Sequence, residues 1–301
     1  MLLNRRDFIR AGSLSGAGLI LSPMLIQRCT PSDPADAGLL ELYDGFQNPP
    51  MDARPFVRWW WNGDRLTAEE ILRELDVMKD AGIGGVEINP IKFPFGADPV
   101  AYETLQWLSD EWIEMLKVAL DGARERGIVC DMIVGSGWPF GGEFLQKEEQ
   151  SQMVTIETIH LEGGQPYQFP REELLQKVDP DIHSKNETVY RDLMMIRLMP
   201  ETSEKFTEGI DLSDQAGEEI ITLDVPEGKH VLHYVVKLTG YMAVINGAPG
   251  AAGPVLNHYN KPAAERYLNR LSAVLTEKIG FMGDYLRAMF CDSMELEGAN
   301  W

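Results

Sequence analysis

Between residues 54 and 134 the chain sets three short apolar runs apart with two amphipathic helical stretches, and each run ends in polar or aromatic residues. Strand–helix alternation of this kind specifies a parallel sheet covered by helices. The first run, Arg54-Pro55-Phe56-Val57-Arg58-Trp59-Trp60-Trp61-Asn62-Gly63, reads as a strand closing in indoles. Thr67 then stands at a helix N-cap with Glu70 three residues on, the pattern of a capping box. Ile71, Leu72, Leu75, Val77 and Met78 give that helix mainly one apolar face, and Gly82 stops it. Gly84 to Pro90 is the next strand, with Glu87 and Asn89 near its C-terminal end. Ser109 caps a helix running to about Arg126 on a Trp112, Met115, Leu116, Ala119, Leu120 stripe, and Gly127 ends it. Ile128 to Val134 is the third strand, followed by Gly135-Ser136-Gly137-Trp138-Pro139-Phe140-Gly141-Gly142.

The rhythm then breaks. The fourth apolar run, at Leu286, starts about 158 residues after the third, whereas a bare βαβ unit occupies about 30. The excess is β-rich: Met153 to Leu161, Val189 to Leu198, Ile220 to Val225 and Val231 to Leu238. Lys261 to Ile279 restores the helical period through Ala264, Tyr267, Leu268, Leu271 and Leu275, and a strand ending at Phe290 follows. The expected fold class is α/β: a partial (β/α)8 TIM-type barrel, about its first four strands, with an inserted β-rich subdomain. Residues 54–150 would begin the barrel, 151–240 form the insertion, and 241–301 continue the barrel to a truncation after the fourth strand.

Ahead of this, residues 1–29 read as an export signal and 30–53, rich in Pro, Asp and Gly, as a linker. Asn4-Arg5-Arg6-Asp7-Phe8-Ile9-Arg10 is a twin-arginine signature, and the Gly-rich run from Ala11 to Ile26 is too short for a comfortable membrane span. A buried or membrane-anchoring helix is the alternative. Export would place the protein in the periplasm or at the cell surface, with no membrane span in the mature chain. Cys29 stands where a lipid-anchored cysteine could, although Gln27 and Arg28 fit such a cleavage poorly. The net charge of −20 becomes −23 once four Arg and one Asp leave with the signal, which argues against nucleic acid as a partner. Cys130 and Cys291 lie in apolar runs and read as small core residues, with no CxxC or His/Cys cluster to suggest zinc.

In (β/α)8 barrels the working residues gather at the C-terminal ends of the strands. Those positions hold Trp59 to Trp61 and Asn62, then Glu87 and Asn89, then Ser136 and Trp138, then Asp292, Ser293, Glu295 and Glu297. Carboxylates and amides interleaved with indoles suit a sugar: indoles stack on pyranose C–H faces, and the polar groups bond its hydroxyls. A carboxylic acid in a partly apolar pocket keeps a proton to give to a glycosidic oxygen. Glu295 is the favoured proton donor, with Trp60, Asn62, Glu87, Asn89, Trp138 and Asp292 as substrate contacts. Each has a plainer reading. The three indoles cannot all face one way, so at least one is core. Glu87 could pair with a structural arginine. Glu295 and Glu297 share a face if the strand continues. His258 reads as a loop or capping residue. Gly141-Gly142-Glu143-Phe144 matches a cyclase tetrapeptide by chance, and the Asn186 sequon means little in a chain with a twin-arginine signal.

The blocks Arg54 to Gly63, Gly84-Gly85-Val86-Glu87-Ile88, Gly135 to Gly142 and Asp292-Ser293-Met294-Glu295 resemble those of glycoside hydrolase family 106, the bacterial α-L-rhamnosidases. Gly253-Pro254-Val255-Leu256-Asn257-His258-Tyr259 through Asn260-Lys261-Pro262 is similar to the segment before that family's fourth strand. The resemblance implies an exported enzyme that releases rhamnose from a rhamnose-containing glycan or glycoside with inversion, using two glutamates and a bound calcium. Glu295 matches the general-acid position. The general base would come from a later strand, so the chain is expected to be an N-terminal fragment, inactive and poorly stable alone. The resemblance assigns no calcium ligand residue by residue. Two other readings stay open: an exported, non-catalytic carbohydrate-binding protein, and another barrel glycosidase such as a β-galactosidase-like enzyme.

Overall fold

The computed structural model describes residues 34–96 and 103–301, so the export signal and Cys29 lie outside the described residues. The chain divides into two compact units at Ala53/Arg54, where the sequence places the start of the catalytic part. In the first unit, the expected linker instead carries helix α1 (Pro34–Gln47) and a short 3-10 turn, Met51–Ala53. Proline suits the first turn of a helix, and the Leu-rich run after it outweighs the cost of Gly38 and Gly45. Leu39, Leu42 and Phe46 stand exposed on it.

The second unit runs β1 (Phe56–Asn62), α2 (Ala68–Asp80), β2 (Gly85–Ile91), α3 (Asp110–Arg126), β3 (Val129–Ile133), β4 (Gln152–Glu162), β5 (Gln165–Pro170), α4 (Arg171–Gln176), β6 (Tyr190–Pro200), β7 (Ile210–Asp211), β8 (Ile220–Val225), β9 (Lys229–Thr239), α5 (Lys261–Lys278) and β10 (Leu286–Phe290). A parallel sheet has the order β1-β2-β3-β10. It is open, with β1 and β10 at its edges, and no closed barrel forms among the described residues. Beyond Leu286, β10 is exposed on both faces.

The helix starts follow the caps. Thr67 Oγ1 accepts from the Glu70 amide at 3.3 Å, Ser109 Oγ from the Trp112 amide at 3.2 Å, and Asn260 Oδ1 from the Ala263 amide at 3.3 Å. The capping box at Thr67 is half made, because the Glu70 carboxylate turns to Arg73 instead. Gly127 closes α3 at φ +71, a left-handed position that suits glycine. Gly122 lets α2 and α3 approach: a Cβ there would lie 2.6 Å from a Leu72 methyl. Leu75, Val86, Ile88, Trp112 and Leu116 fill the space between these helices and the sheet. Val77 and Leu268, expected on apolar stripes, are exposed.

The expected β-rich insertion is an antiparallel sheet, β4-β9-β6-β7, and a second pair, β5-β8. Leu174, Ile196, Leu198, Ile221, Leu232, Val236 and Leu238 form its core. β5 escapes the sequence pattern because Pro166 and Pro170 interrupt it, yet it pairs with β8 from Gln165 to Pro170. Cys130 is buried as expected, whereas Cys291 is exposed, because it follows an edge strand that is itself exposed beyond Leu286. No described helix is long and apolar enough to cross a membrane.

Candidate active site

Strand alternation sorts the three indoles of β1. Trp59 and Trp61 are buried on the helix side: Trp59 Nε1 donates to Glu74 of α2, and Trp61 meets Trp112 of α3 edge-on at 5.7 Å. Arg58, Trp60 and Asn62 therefore share the opposite face. Parallel register sets Arg58 beside Glu87 and Trp60 beside Asn89 on that face.

There Arg58 joins three elements. Its Nε is ion-paired with Glu87 Oε1 at 2.9 Å, and its Nη1 donates to Asp292 Oδ2 at 3.0 Å. Asn89 Nδ2 donates to the same Glu87 oxygen at 2.9 Å. The guanidinium lies over the rings of Phe290 (4.8 Å) and Trp60 (5.1 Å), so cation–π attraction adds to the ion pairs. One strand along, Arg287 clamps Asp131 with two hydrogen bonds and covers the Phe56 ring at 4.2 Å.

The segment after β10 sorts its carboxylates by what they hold. Asp292 is bound by Arg58, and its other oxygen accepts from the Ser293 amide at 2.8 Å. Glu297 takes the His183 amide at 2.6 Å, and its carbonyl accepts from Tyr241 O–H at 2.7 Å. Asn300 exchanges two hydrogen bonds with Val154, while Leu296 and Ala299 pack on the core of the β-rich part. Glu295, between these anchors, is exposed, and its carboxylate has no hydrogen-bond or ion-pair partner among the described residues. The shared strand face of Glu295 and Glu297 is not realised, because residues 291–296 are irregular.

The structure thus gathers Trp60, Glu87, Asn89 and Asp292 and leaves Glu295 three residues from the cluster. Asn89 is fully buried and serves Glu87 instead of facing solvent. Asn62 is exposed at the end of β1. Trp138 is half-buried, its backbone paired with Ile245. Ser136 is a latch: its hydroxyl donates to the Pro90 carbonyl and accepts from the Ala248 amide, both at 2.8 Å. Arg58 is the residue that sequence reading did not select. Its signal was parity with Trp60 and Asn62 on a strand whose parallel neighbour presents Glu87.

A buried carboxyl and a half-buried imidazole complete the electrostatics. Asp64, at the end of the β1 turn, is fully buried with neither carboxyl oxygen hydrogen-bonded. Burial holds its pKa well above the usual value, and the nearby Trp112 indole only partly offsets this. Burial also pushes the His258 imidazole down to about 4, partly offset by a hydrogen bond with the Phe140 backbone. His258 packs edge-on against Phe140 at 4.7 Å, which fits a structural loop residue.

Among the described residues no three His, Cys, Asp or Glu side chains converge as a metal site. Glu87 and Asp292 already share a cation in Arg58.

Residues 47–182 match the family model of glycoside hydrolase family 106, described as alpha-L-rhamnosidase, which bears out the family resemblance over that stretch. A curated relative from Formosa agariphila, named "Putative beta-glucuronidase", is 28% identical over 125 residues, 41% of this chain and 10% of the relative. The solved structure of a rhamnosidase from Novosphingobium sp. PP1Y is similar with a TM-score of 0.55 at 16% identity. That likeness, which concerns the fold, covers 86% of this chain and 40% of the other. The matched stretches therefore span less than half the length of either protein.

Proposed function

We propose that this chain carries the proton-donor side of a glycoside hydrolase that removes terminal L-rhamnose from glycans with inversion. The observation that carries the reading is one free carboxylate, Glu295, three residues along the chain from Asp292, which Arg58 ties to Glu87 and to the exposed Trp60 indole. Glu295 would donate its proton to the glycosidic oxygen as the C–O bond breaks, the bonding pair leaving with that oxygen. Trp60 would offer its ring to the apolar face of the sugar.

The charges on this face favour a neutral sugar. Arg58 and Arg287 are each held by carboxylates, and with Glu87, Asp131, Asp292 and Glu295 present the face carries an excess of negative charge. A uronate would be repelled there, which weighs against the activity named for the Formosa relative.

Inversion needs a second carboxyl about 6.5–9.5 Å from the acid to activate water. Glu87 and Asp292 are committed to Arg58, so we assign that base to a residue outside those described. The four-stranded sheet is read as part of a (β/α)8 barrel on the strand–helix alternation β1-α2-β2-α3-β3 and its parallel pairing. Export by the twin-arginine route is proposed on Asn4 to Arg10 alone. The intact gene product should hydrolyse 4-nitrophenyl α-L-rhamnoside and leave the β-D-glucuronide and β-D-galactoside untouched. Preference for either of the latter overturns the substrate assignment, and binding of rhamnose-containing glycans without turnover of any favours a carbohydrate-binding role.

A further inference from the structure

The geometry points to Arg58 as a positioning residue that sets Glu295 in place through Asp292, an inference that rests on the proposed glycosidase reading. The segment bearing Glu295 has two independent anchors. The far anchor is Glu297, held by the His183 amide and by Tyr241 through its carbonyl. The near anchor is Asp292, and the side chain that secures it from the sheet is Arg58, at 3.0 Å. The other Asp292 oxygen binds the Ser293 amide, so fixing the carboxylate also fixes the backbone as it turns toward Glu295.

Arg58 is itself fixed on its other sides. Glu87 holds its Nε at 2.9 Å, Asn89 orients Glu87, and the rings of Trp60 and Phe290 lie against the guanidinium. The result is a relay from β2 through β1 to the loop after β10. The planar guanidinium presents Nε and Nη1 to the two carboxylates at a fixed spacing; an ammonium keeps the charge on one rotating centre and loses that spacing. Arg58→Lys is therefore the informative variant. The far anchor, the β-rich core and the helix layer do not depend on Arg58, so the variant should fold and lose the placement of Glu295.

A proton donor that is out of place is missed most when the leaving group most needs a proton. Phenyl α-L-rhamnoside releases a poor leaving group, and the 2,4-dinitrophenyl glycoside releases one that departs without help. In the intact gene product, Arg58→Lys should lower kcat on the phenyl substrate by about 100-fold, the scale of an ångström misplacement. On the dinitrophenyl substrate the loss should stay below about 5-fold, since general-acid assistance supplies little there. KM for the phenyl substrate should change less than about 3-fold, and in a Glu295→Gln background Arg58→Lys should add almost nothing, as expected of residues acting as one unit. Equal losses on both substrates, or full additivity with Glu295→Gln, would show Arg58 to be merely structural and overturn the positioning role alone. Absence of rhamnoside hydrolysis by the unmutated protein removes the proposed function and this role with it.

Discussion

Asp64→Asn should change how stability depends on pH, and the sign follows from the burial of Asp64. In the folded chain this carboxyl is fully enclosed, its oxygens without hydrogen bonds, and its pKa is raised well above the ordinary 3.8. A group whose folded pKa is raised contributes stability that is complete below its unfolded pKa and lost as pH climbs through the folded value. Within that window one proton separates the two states, so stability falls by about 1.4 kcal/mol per pH unit. Asparagine removes the titration, and it tolerates the left-handed backbone at φ +49 that this position requires. The stability of Asp64→Asn minus that of the unmutated chain should therefore rise with pH above 3.8 and then level off. Taking the difference cancels Glu149 and Asp211, whose lowered pKa values give slopes of the opposite sign in both proteins. Urea unfolding followed by tryptophan emission suits the site, because Trp61 and Trp112 pack beside it. A difference that stays flat from pH 4 to 9 would refute the buried, neutral carboxyl.

Other expectations follow from particular contacts. The His258 imidazole should titrate near pH 4 by NMR, and the stability it contributes, complete above about 6.5, should fade as pH drops toward that value; a midpoint near 6.5 would place it in solvent. Gly141→Ala brings a Cβ within 2.2 Å of the Pro254 carbonyl oxygen and 2.8 Å of the Val255 Cα, backbone atoms that cannot swing aside, so unfolding midpoints should drop by an amount equivalent to about 1–3 kcal/mol. Glu297→Gln keeps the shape of the far anchor but removes the charge at the His183 amide, and hydrogen exchange at that amide should quicken.

The helices and most strands were legible because each carries its own punctuation. Thr67, Ser109 and Asn260 are caps readable from chemistry, and Gly127 is a stop that needs a left-handed backbone. β5 was hidden by Pro166 and Pro170, whose strand pairing depends on β8, some fifty residues away. The helix Pro34–Gln47 was hidden by a composition that resembles a linker. At the site, alternation foretold that the three indoles would divide, and Trp60 is the one left exposed. What the chain order concealed was division of labour among like residues. Asp292, Glu295 and Glu297 stand within six residues of one another; distant partners, Arg58 and His183, take the outer two and leave the middle one free.

That division makes Glu295→Gln in the intact gene product the most direct measurement of the central claim. With phenyl α-L-rhamnoside as substrate, the account predicts a loss in kcat of about 100- to 10,000-fold, the contribution of a positioned general acid. Turnover equal to that of the unmutated protein would contradict it.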